Sequence, residues 1–378
     1  MFVGDDATSL IDRLRRFASG EREAANAAGE APETAPSSIA FVFPGQGSQW
    51  VGMARELLKR EPAFRDAIEA CETAMTPFAD WSLREQLELD AESPRSRMTD
   101  IAVIQPVLVA VEIAQASLWR AWGVEPAAVV GHSMGEVGAA YVAGALSLED
   151  AMRVICHRSA LLRRTSGHGA MGLVELSAGD ATARIAPYGD RLSVAVHNAP
   201  RSTVVSGDPD ALREVLTSLD ADGIFCRQVK VDVASHSRQM DPLVPELLAQ
   251  VASIRASDSS VAIYSTVTGS RVDGHTLDAS YWGRNLREPV QFSTAVSAMT
   301  AADVDAVIEL SPHPVLTSAV LDTSDANQRS VAAVGSLRRE EPEQAAMLTA
   351  IGALWAAGYA VDWARTMPVS WRRVSLPT

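Results

Sequence analysis

Residues 127–136 read Ala127-Ala128-Val129-Val130-Gly131-His132-Ser133-Met134-Gly135-Glu136. A short apolar run, a Gly-x-Ser-x-Gly turn and the small-residue stretch 136–146 predict a buried strand, a sharp turn and a closely packed helix. The glycines permit the turn that lifts a serine above the strand end, which makes Ser133 a candidate nucleophile. Met134 stands where the helix begins, so its N–H can point at a developing oxyanion with the helix N-terminal field behind it. The alternative is a glycine-rich strand-to-helix turn with an incidental serine.

The same rhythm recurs on both sides. Residues 39–43 form an abrupt apolar run, 105–122 are apolar at helical spacing, 148–164 predict another helix, and 261–266 and 304–309 predict strands. Such alternation predicts a largely parallel sheet covered by helices. Between 169 and 233 the pattern changes. Strands at 171–176, 192–197, 203–207 and 226–231, with helices at 180–185 and 208–221, give the ferredoxin-like order βαββαβ. The expected fold class is α/β: a large α/β-hydrolase-like subdomain with a parallel sheet (39–168 and 234–345) and an inserted ferredoxin-like small subdomain (169–233). A short helix carrying Leu10, Leu14 and Phe17, capped by Asp6 or Thr8, and a flexible Ala/Glu/Pro/Ser-rich linker (21–38) precede it. A C-terminal helix at 345–355 closes the chain.

Composition bounds the function. The chain has 378 residues, 47% of them hydrophobic, which excludes disorder throughout. Lys and Arg number 33 against 47 Asp and Glu, a formal net charge of -14. That balance argues against a nucleic-acid partner, since phosphate contact needs a cationic excess. Cys71, Cys156 and Cys226 are scattered with no CxxC pair, which fits reduced thiols better than a disulfide framework or a metal site. No apolar run of about 18 residues and no basic-then-apolar start is evident, so a cytoplasmic protein without membrane association is expected.

A serine nucleophile needs a base. Among seven histidines, His236 is the best candidate. It lies in the small-residue loop Val233-Ala234-Ser235-His236-Ser237, just after the last strand of the insertion. Taken alone, a loop histidine is more often a surface residue. His132 adjoins the nucleophile, but on a tight turn its side chain points elsewhere. The glycine-rich loop Phe43-Pro44-Gly45-Gln46-Gly47-Ser48-Gln49 follows the first strand, a ligand position in α/β sheets, and its backbone N–H groups suit a second oxyanion donor. It lacks the Gly-Lys-Ser/Thr ending of a phosphate-binding loop, and a purely structural turn is an equal alternative. Arg153, Arg158, Arg163 and Arg164 share one helix, and spacing alone does not choose which of them, if any, is a buried carboxylate clamp.

Four motifs together resemble the malonyl-CoA:acyl-carrier-protein transacylase family, and most of all the acyltransferase domain of a modular type I polyketide synthase: Phe-Pro-Gly-Gln-Gly-Ser-Gln-Trp at 43–50, Gly-His-Ser-Met-Gly-Glu at 131–136, Val-Ala-Ser-His at 233–236 and Glu-Leu-Ser-Pro-His-Pro at 309–314. The resemblance implies Ser133 as nucleophile and His236 as base and then acid, oriented by a backbone carbonyl assigned to Asn285. It implies oxyanion donors at the N–H groups of Gln46 and Met134, and Arg158 as the grip on a substrate carboxylate. Asn198 and His132 become pocket residues. The implied chemistry is ping-pong transfer of an α-carboxyacyl group from acyl-CoA to the phosphopantetheine thiol of an acyl carrier protein, with no permanently bound cofactor and no metal.

The resemblance also implies partners and an extender. The partners are the carrier protein, a ketosynthase and other domains of the same synthase. Residues 1–20 resemble the end of a ketosynthase–acyltransferase linker, and 346–378 a helix and post-acyltransferase linker. Val233, Ala234 and Ser235, with Met134, stand where relatives differ in extender choice. A small Ser235 in place of an aromatic ring favours methylmalonyl over malonyl, and the small Val233 leaves room for larger α-substituents. Because carrier proteins are acidic, docking is expected to use local basic residues such as Arg15, Arg16, Arg372 or Arg373. A serine esterase or thioesterase of the α/β-hydrolase class shares the elbow, but requires an acid and a late histidine, for which only His313 is available. A non-catalytic docking scaffold is the other rival.

Overall fold

The structure, a computed structural model, describes residues 7–21 and 38–366. The linker expected at 21–38 falls almost entirely outside the described residues, as do Asp6 and the tail from 367 to 378 with Arg372 and Arg373. The strands are β1 (Ile39–Phe43), β2 (Ala128–Gly131), β3 (Ala170–Val174), β4 (Leu192–Ala199), β5 (Ser202–Gly207), β6 (Cys226–Gln228), β7 (Ala262–Ser265), β8 (Ser270–Val272), β9 (Ala306–Glu309) and β10 (Ala332–Gly335). The helices are α1 (Ala7–Ala18), α2 (Arg55–Arg60), α3 (Pro62–Met75), α4 (Leu83–Glu88), α5 (Ile101–Ala121), α6 (Gly135–Val142), α7 (Leu148–Arg163), α8 (Ala178–Ile185), α9 (Pro209–Ala221), α10 (Val244–Gln250), α11 (Ala279–Arg287), α12 (Phe292–Ala301), α13 (Thr317–Ala326), α14 (Glu343–Ala356) and α15 (Trp363–Thr366).

The large sheet runs β10-β9-β1-β2-β7-β8. Five strands are parallel, and β8 closes one edge as an antiparallel hairpin partner of β7. Strands buried on both faces, as the all-buried β1 and β2 are, need continuous apolar residues, which is why they were legible as short apolar runs. Helices α3, α5 and α7 pack together on one side around Phe64, Val107, Trp119 and Ile155. α5 corrects an expectation: it is long and apolar enough to cross a membrane, with mean hydropathy 1.8. Yet 89% of that stretch is buried inside the protein, at the centre of the larger core. It also starts four residues before the predicted 105, because the Asp100 carboxylate caps it by accepting from the Ala102 N–H at 2.9 Å.

The insertion folds as a four-stranded antiparallel sheet of order β4-β5-β3-β6, with α8 and α9 on one face. This is the ferredoxin-like arrangement. Alternation along β3 sends Ala170 and Val174 into a private core with Ile185, Leu212 and Leu219, and leaves Met171 and Leu173 on the opposite face. That face turns towards the large subdomain. The two units are sewn together where Val196 pairs in parallel with Val290 and the His197 N–H donates to the Val290 carbonyl at 2.8 Å. β4 runs two residues past the expected end at 197, since Asn198 and Ala199 remain in the strand.

Candidate active site

Two of the parallel strands end side by side, and their loops make the site. Phe43 of β1 is in register with Gly131 of β2, and the His132 N–H donates to the Phe43 carbonyl at 2.7 Å. The elbow fits only because its flanking residues lack side chains: a Cβ on Gly135 would sit 2.2 Å from the Phe43 carbonyl oxygen, and one on Gly131 would sit 2.3 Å from the Glu136 backbone. Between them Ser133 is held at φ +55°, a left-handed conformation rare for a non-glycine residue. Met134 follows at the N-terminus of α6.

The Ser133 Oγ lies 2.7 Å from His236 Nε2. His236, also at positive φ (+57°), is buried, and its Nδ1 lies 2.9 Å from the Glu288 carbonyl. A carbonyl only accepts, so Nδ1 carries the proton and Nε2 is left to accept from the serine hydroxyl. This corrects the assignment to Asn285. Glu288 is the residue after the last turn of α11, extended at ψ 157°, so its carbonyl leaves the helix and faces the imidazole. Asn285 instead donates through Nδ2 to the Ser133 carbonyl at 3.1 Å and to Glu136 Oε2 at 2.8 Å. Burial, and then the charge of Arg158, hold His236 down to about 3, so the imidazole is neutral at any ordinary pH.

Of the three arginines on α7 and Arg164 just beyond its end, only Arg158 turns inward. Arg153 pairs with Glu149 and lies over the Phe78 ring, Arg163 pairs with Asp100, and Arg164 pairs with Glu246. The Arg158 side chain is 1% exposed. Its Nη2 donates to Ser133 Oγ at 3.0 Å and its Nη1 to Gln105 Oε1 at 2.8 Å, while Nε has no partner. Burial lowers its pKa from 12.5 to about 10, with the charge of Glu136 opposing. Among the described residues no carboxylate lies within ion-pair distance of it. Gln105 was not singled out from sequence as a site residue. It links Arg158 to the glycine-rich loop by donating to Gln46 Oε1 at 3.3 Å.

A cavity of about 220 Å³ opens from Ser133. Its walls include Gln46, Met134, Asn198 and His132, together with Met171, Leu173, Val196 and Val204 from the free face of the small sheet. Val233 and Ser235 line it as well. Ala234 does not: it is fully buried against Gly169, where a Cβ would lie 2.2 Å from the Ala234 nitrogen. His132 Nε2 is 3.0 Å from Asn198 Oδ1 and its ring leans on Phe292, so it braces the wall rather than the nucleophile. The motif at 309–314 has a separate task. The buried Glu309 carboxylate accepts from the N–H groups of Val315, Leu316 and Thr317 at 2.6, 2.9 and 2.7 Å, and so fixes Val315 and Leu316 as another part of the wall. His313 accepts from the Arg339 N–H at 3.3 Å on the surface, where it cannot complete a hydrolase triad. A second cleft of about 830 Å³, lined by Met98, Ile101, Arg163 and Lys230, shares Gln46, Val229, Val231 and Val233 with this cavity and continues it outward. Arg15 and Arg16 are already paired with Asp12 and Glu21.

Ser133 thus stands on a strand–turn–helix elbow of an α/β scaffold, with a neutral His236 held by a backbone carbonyl and the Arg158 guanidinium beside it, an arrangement suited to acyl transfer. The chain belongs to the acyl transferase domain family, whose family model matches residues 40–361. It is 45% identical over 377 residues to the "Polyketide synthase GfsB" of Streptomyces halstedii; that match covers 100% of this chain and 7% of the relative, so the chain spans a small part of it. Among solved structures it resembles the acyltransferase domain from module 8 of the salinomycin polyketide synthase (TM-score 0.91, 41% identity, 96% of this chain and 85% of that one). The acyltransferase domain of SpnD in complex with 2-(pent-4-yn-1-yl)malonyl is similar at TM-score 0.81 and 26% identity, covering 96% of this chain and 84% of that one.

Proposed function

We propose that the chain transfers an α-carboxyacyl extender unit, methylmalonyl favoured, from CoA through an ester on Ser133 to the phosphopantetheine thiol of an acyl carrier protein. His236 Nε2 takes the hydroxyl proton as Ser133 Oγ attacks the thioester carbonyl. The Gln46 and Met134 N–H groups carry the oxyanion, the C–S bond breaks, and the departing CoA thiolate takes the proton from His236. In the second half the carrier thiol gives its proton to His236 and attacks the ester. Oxygen leaves as the Ser133 hydroxyl once His236 returns the proton. The observation that carries this reading is the buried, carboxylate-free guanidinium of Arg158 in contact with the nucleophile. A substrate carboxylate supplies the missing counter-charge and leaves the thioester beside Ser133 Oγ.

The extender preference rests on the wall. Ser235 is small, and the strand residues beyond it are apolar, which suits an α-methyl group and leaves space for more. The SpnD relative bound to a longer alkyl-malonyl group is consistent with a cavity of this type. The partners follow from the chemistry: acyl-CoA, a carrier protein and the other domains of a synthase, in the cytoplasm. Exposure to methylmalonyl-CoA followed by intact-mass spectrometry tests the reading. We expect one acyl adduct on the wild type, discharged by carrier protein, and none on Ser133→Ala. An unmodified wild type, or an adduct lost to water as fast as to carrier protein, overturns it.

A further inference from the structure

Glu136 is a buried carboxylate that the mechanism above does not use. It stands one turn after Ser133, in the first turn of α6, and is 5% exposed. Four donors converge on it. Oε1 accepts from the Thr266 N–H and from Thr266 Oγ1 at 2.8 Å; Oε2 accepts from Tyr281 Oη at 2.7 Å and from Asn285 Nδ2 at 2.8 Å. Tyr281 and Asn285 both lie on α11, whose C-terminal carbonyl, at Glu288, orients His236. The second Asn285 amide hydrogen reaches the Ser133 carbonyl. One carboxylate therefore touches, through a single intermediate residue, the backbone of the nucleophile and the helix that aims the base.

We propose that Glu136 is a positioning residue that couples the Ser133 elbow to His236, by holding Asn285 and α11 in one arrangement. This rests on reading Ser133 and His236 as the catalytic pair. The Thr266 N–H on Oε1 and Asn285 Nδ2 on Oε2 can only donate, so an acceptor is needed on both oxygens to satisfy them. The Thr266 N–H is fixed in the backbone, so glutamine of the same shape turns its NH2 group to the other side, against Asn285 Nδ2. Asn285 can relieve the clash only by turning its Oδ1 inward, which sets oxygen against the Ser133 carbonyl and breaks the bond to the elbow. Among the described residues the buried Asn285 Oδ1 has no hydrogen-bond partner, so the amide is held through its Nδ2 alone. Loss of the tie frees the Ser133–His236 distance to drift, and drift of about 1 Å in a reacting pair costs up to about 100-fold in rate.

The test reads serine reactivity without any acyl donor. Wild type, Glu136→Gln, Asn285→Ala and Tyr281→Phe are phosphorylated at the Ser133 hydroxyl with diisopropyl fluorophosphate, fluoride leaving, with rates referred to the folded fraction from near-ultraviolet circular dichroism. We expect Glu136→Gln and Asn285→Ala each to slow Ser133 modification by about 10- to 100-fold, and their double variant to be no slower than either alone. Tyr281→Phe removes a donor from the same carboxylate but leaves Asn285 in place; it should lower thermal stability and leave the rate within about twofold. Wild-type reactivity in either Glu136→Gln or Asn285→Ala, additive losses in the double variant, or an equal loss in Tyr281→Phe overturns the inference. Because no acyl-CoA enters the assay, a wild type that fails to load an extender refutes the assigned reaction and leaves this coupling standing.

Discussion

Replacing Arg158 should abolish the distinction between a diacid and a monoacid substrate. Its guanidinium pKa falls from 12.5 to about 10 on burial. At about 1.4 kcal/mol for each tenfold step, that corresponds to roughly 3 kcal/mol of unrelieved charge burial. A bound carboxylate relieves it; a propionyl group of the same length does not. The wild type should therefore prefer methylmalonyl-CoA over propionyl-CoA by about 100-fold from this contact alone. Arg158→Ala and Arg158→Gln should both lose that preference. Both variants also lose the bond from Nη2 to Ser133 Oγ, so absolute rates fall for every donor, and the ratio isolates the carboxylate contact. The assay mixes the two CoA esters at equal concentration and reads the two acyl-enzyme masses within the first turnover. A ratio unchanged from wild type would show that Arg158 serves the serine and not the substrate, and the argument from its missing counter-charge would fail.

Two further expectations concern the wall and the base. Ser235→Phe places a ring where the cavity is open beside Ser133, and competition between malonyl- and methylmalonyl-CoA should shift towards malonyl; persistence of methylmalonyl loading refutes the steric account of that loop. His236 is neutral in the fold down to about pH 3, while an unfolded histidine takes up a proton near 6.5. As pH falls below 6.5 the unfolded chain gains a proton that the folded chain refuses, so folding is disfavoured by up to about 1.4 kcal/mol per pH unit. Urea unfolding of wild type and His236→Gln should show the wild type losing about 2 kcal/mol relative to the variant between pH 6.5 and 5, and a constant difference contradicts the neutral-imidazole assignment.

The parts of the fold that were legible are those where a single rule dominates. β1 and β2 are apolar because both faces are covered, and the antiparallel insertion showed itself by its strand and helix order. The stretch from 55 to 88 gave no assignment, although α3 carries Phe64, Ile68, Cys71 and Met75 at helical spacing. Its amphipathic signal is diluted by Ala67, Ala70 and Ala74, which suit either a buried or an exposed face. In the site, the structure brings together Ser133, His236 and Arg158, the three residues that the family motifs singled out. The orienting carbonyl could not be placed, since a backbone atom leaves no side-chain signature. Pro289 was the available clue: the residue before proline is driven out of helical geometry, which turns the Glu288 carbonyl outward. Gln105, Glu136 and Tyr281 act through contacts 53, 130 and 145 residues distant in the chain, to Arg158, Thr266 and Glu136, and no local pattern marks such pairings.

The division of the cavity between two subdomains has an evolutionary corollary. Ser133, the Arg158 guanidinium and the Glu288 carbonyl belong to the large unit, whereas Met171, Leu173, Val196 and Val204 lie on one face of a sheet whose other face has a hydrophobic core of its own. That face also packs against Val290 and Phe292 of the large unit, so substitutions on it alter the shape offered to an acyl chain at the seam between the two units, while the core behind the small sheet stays as it is. A lineage can thus sample new building blocks by changing the seam between the units, with Ser133, Arg158 and Glu288 kept in place on the larger one.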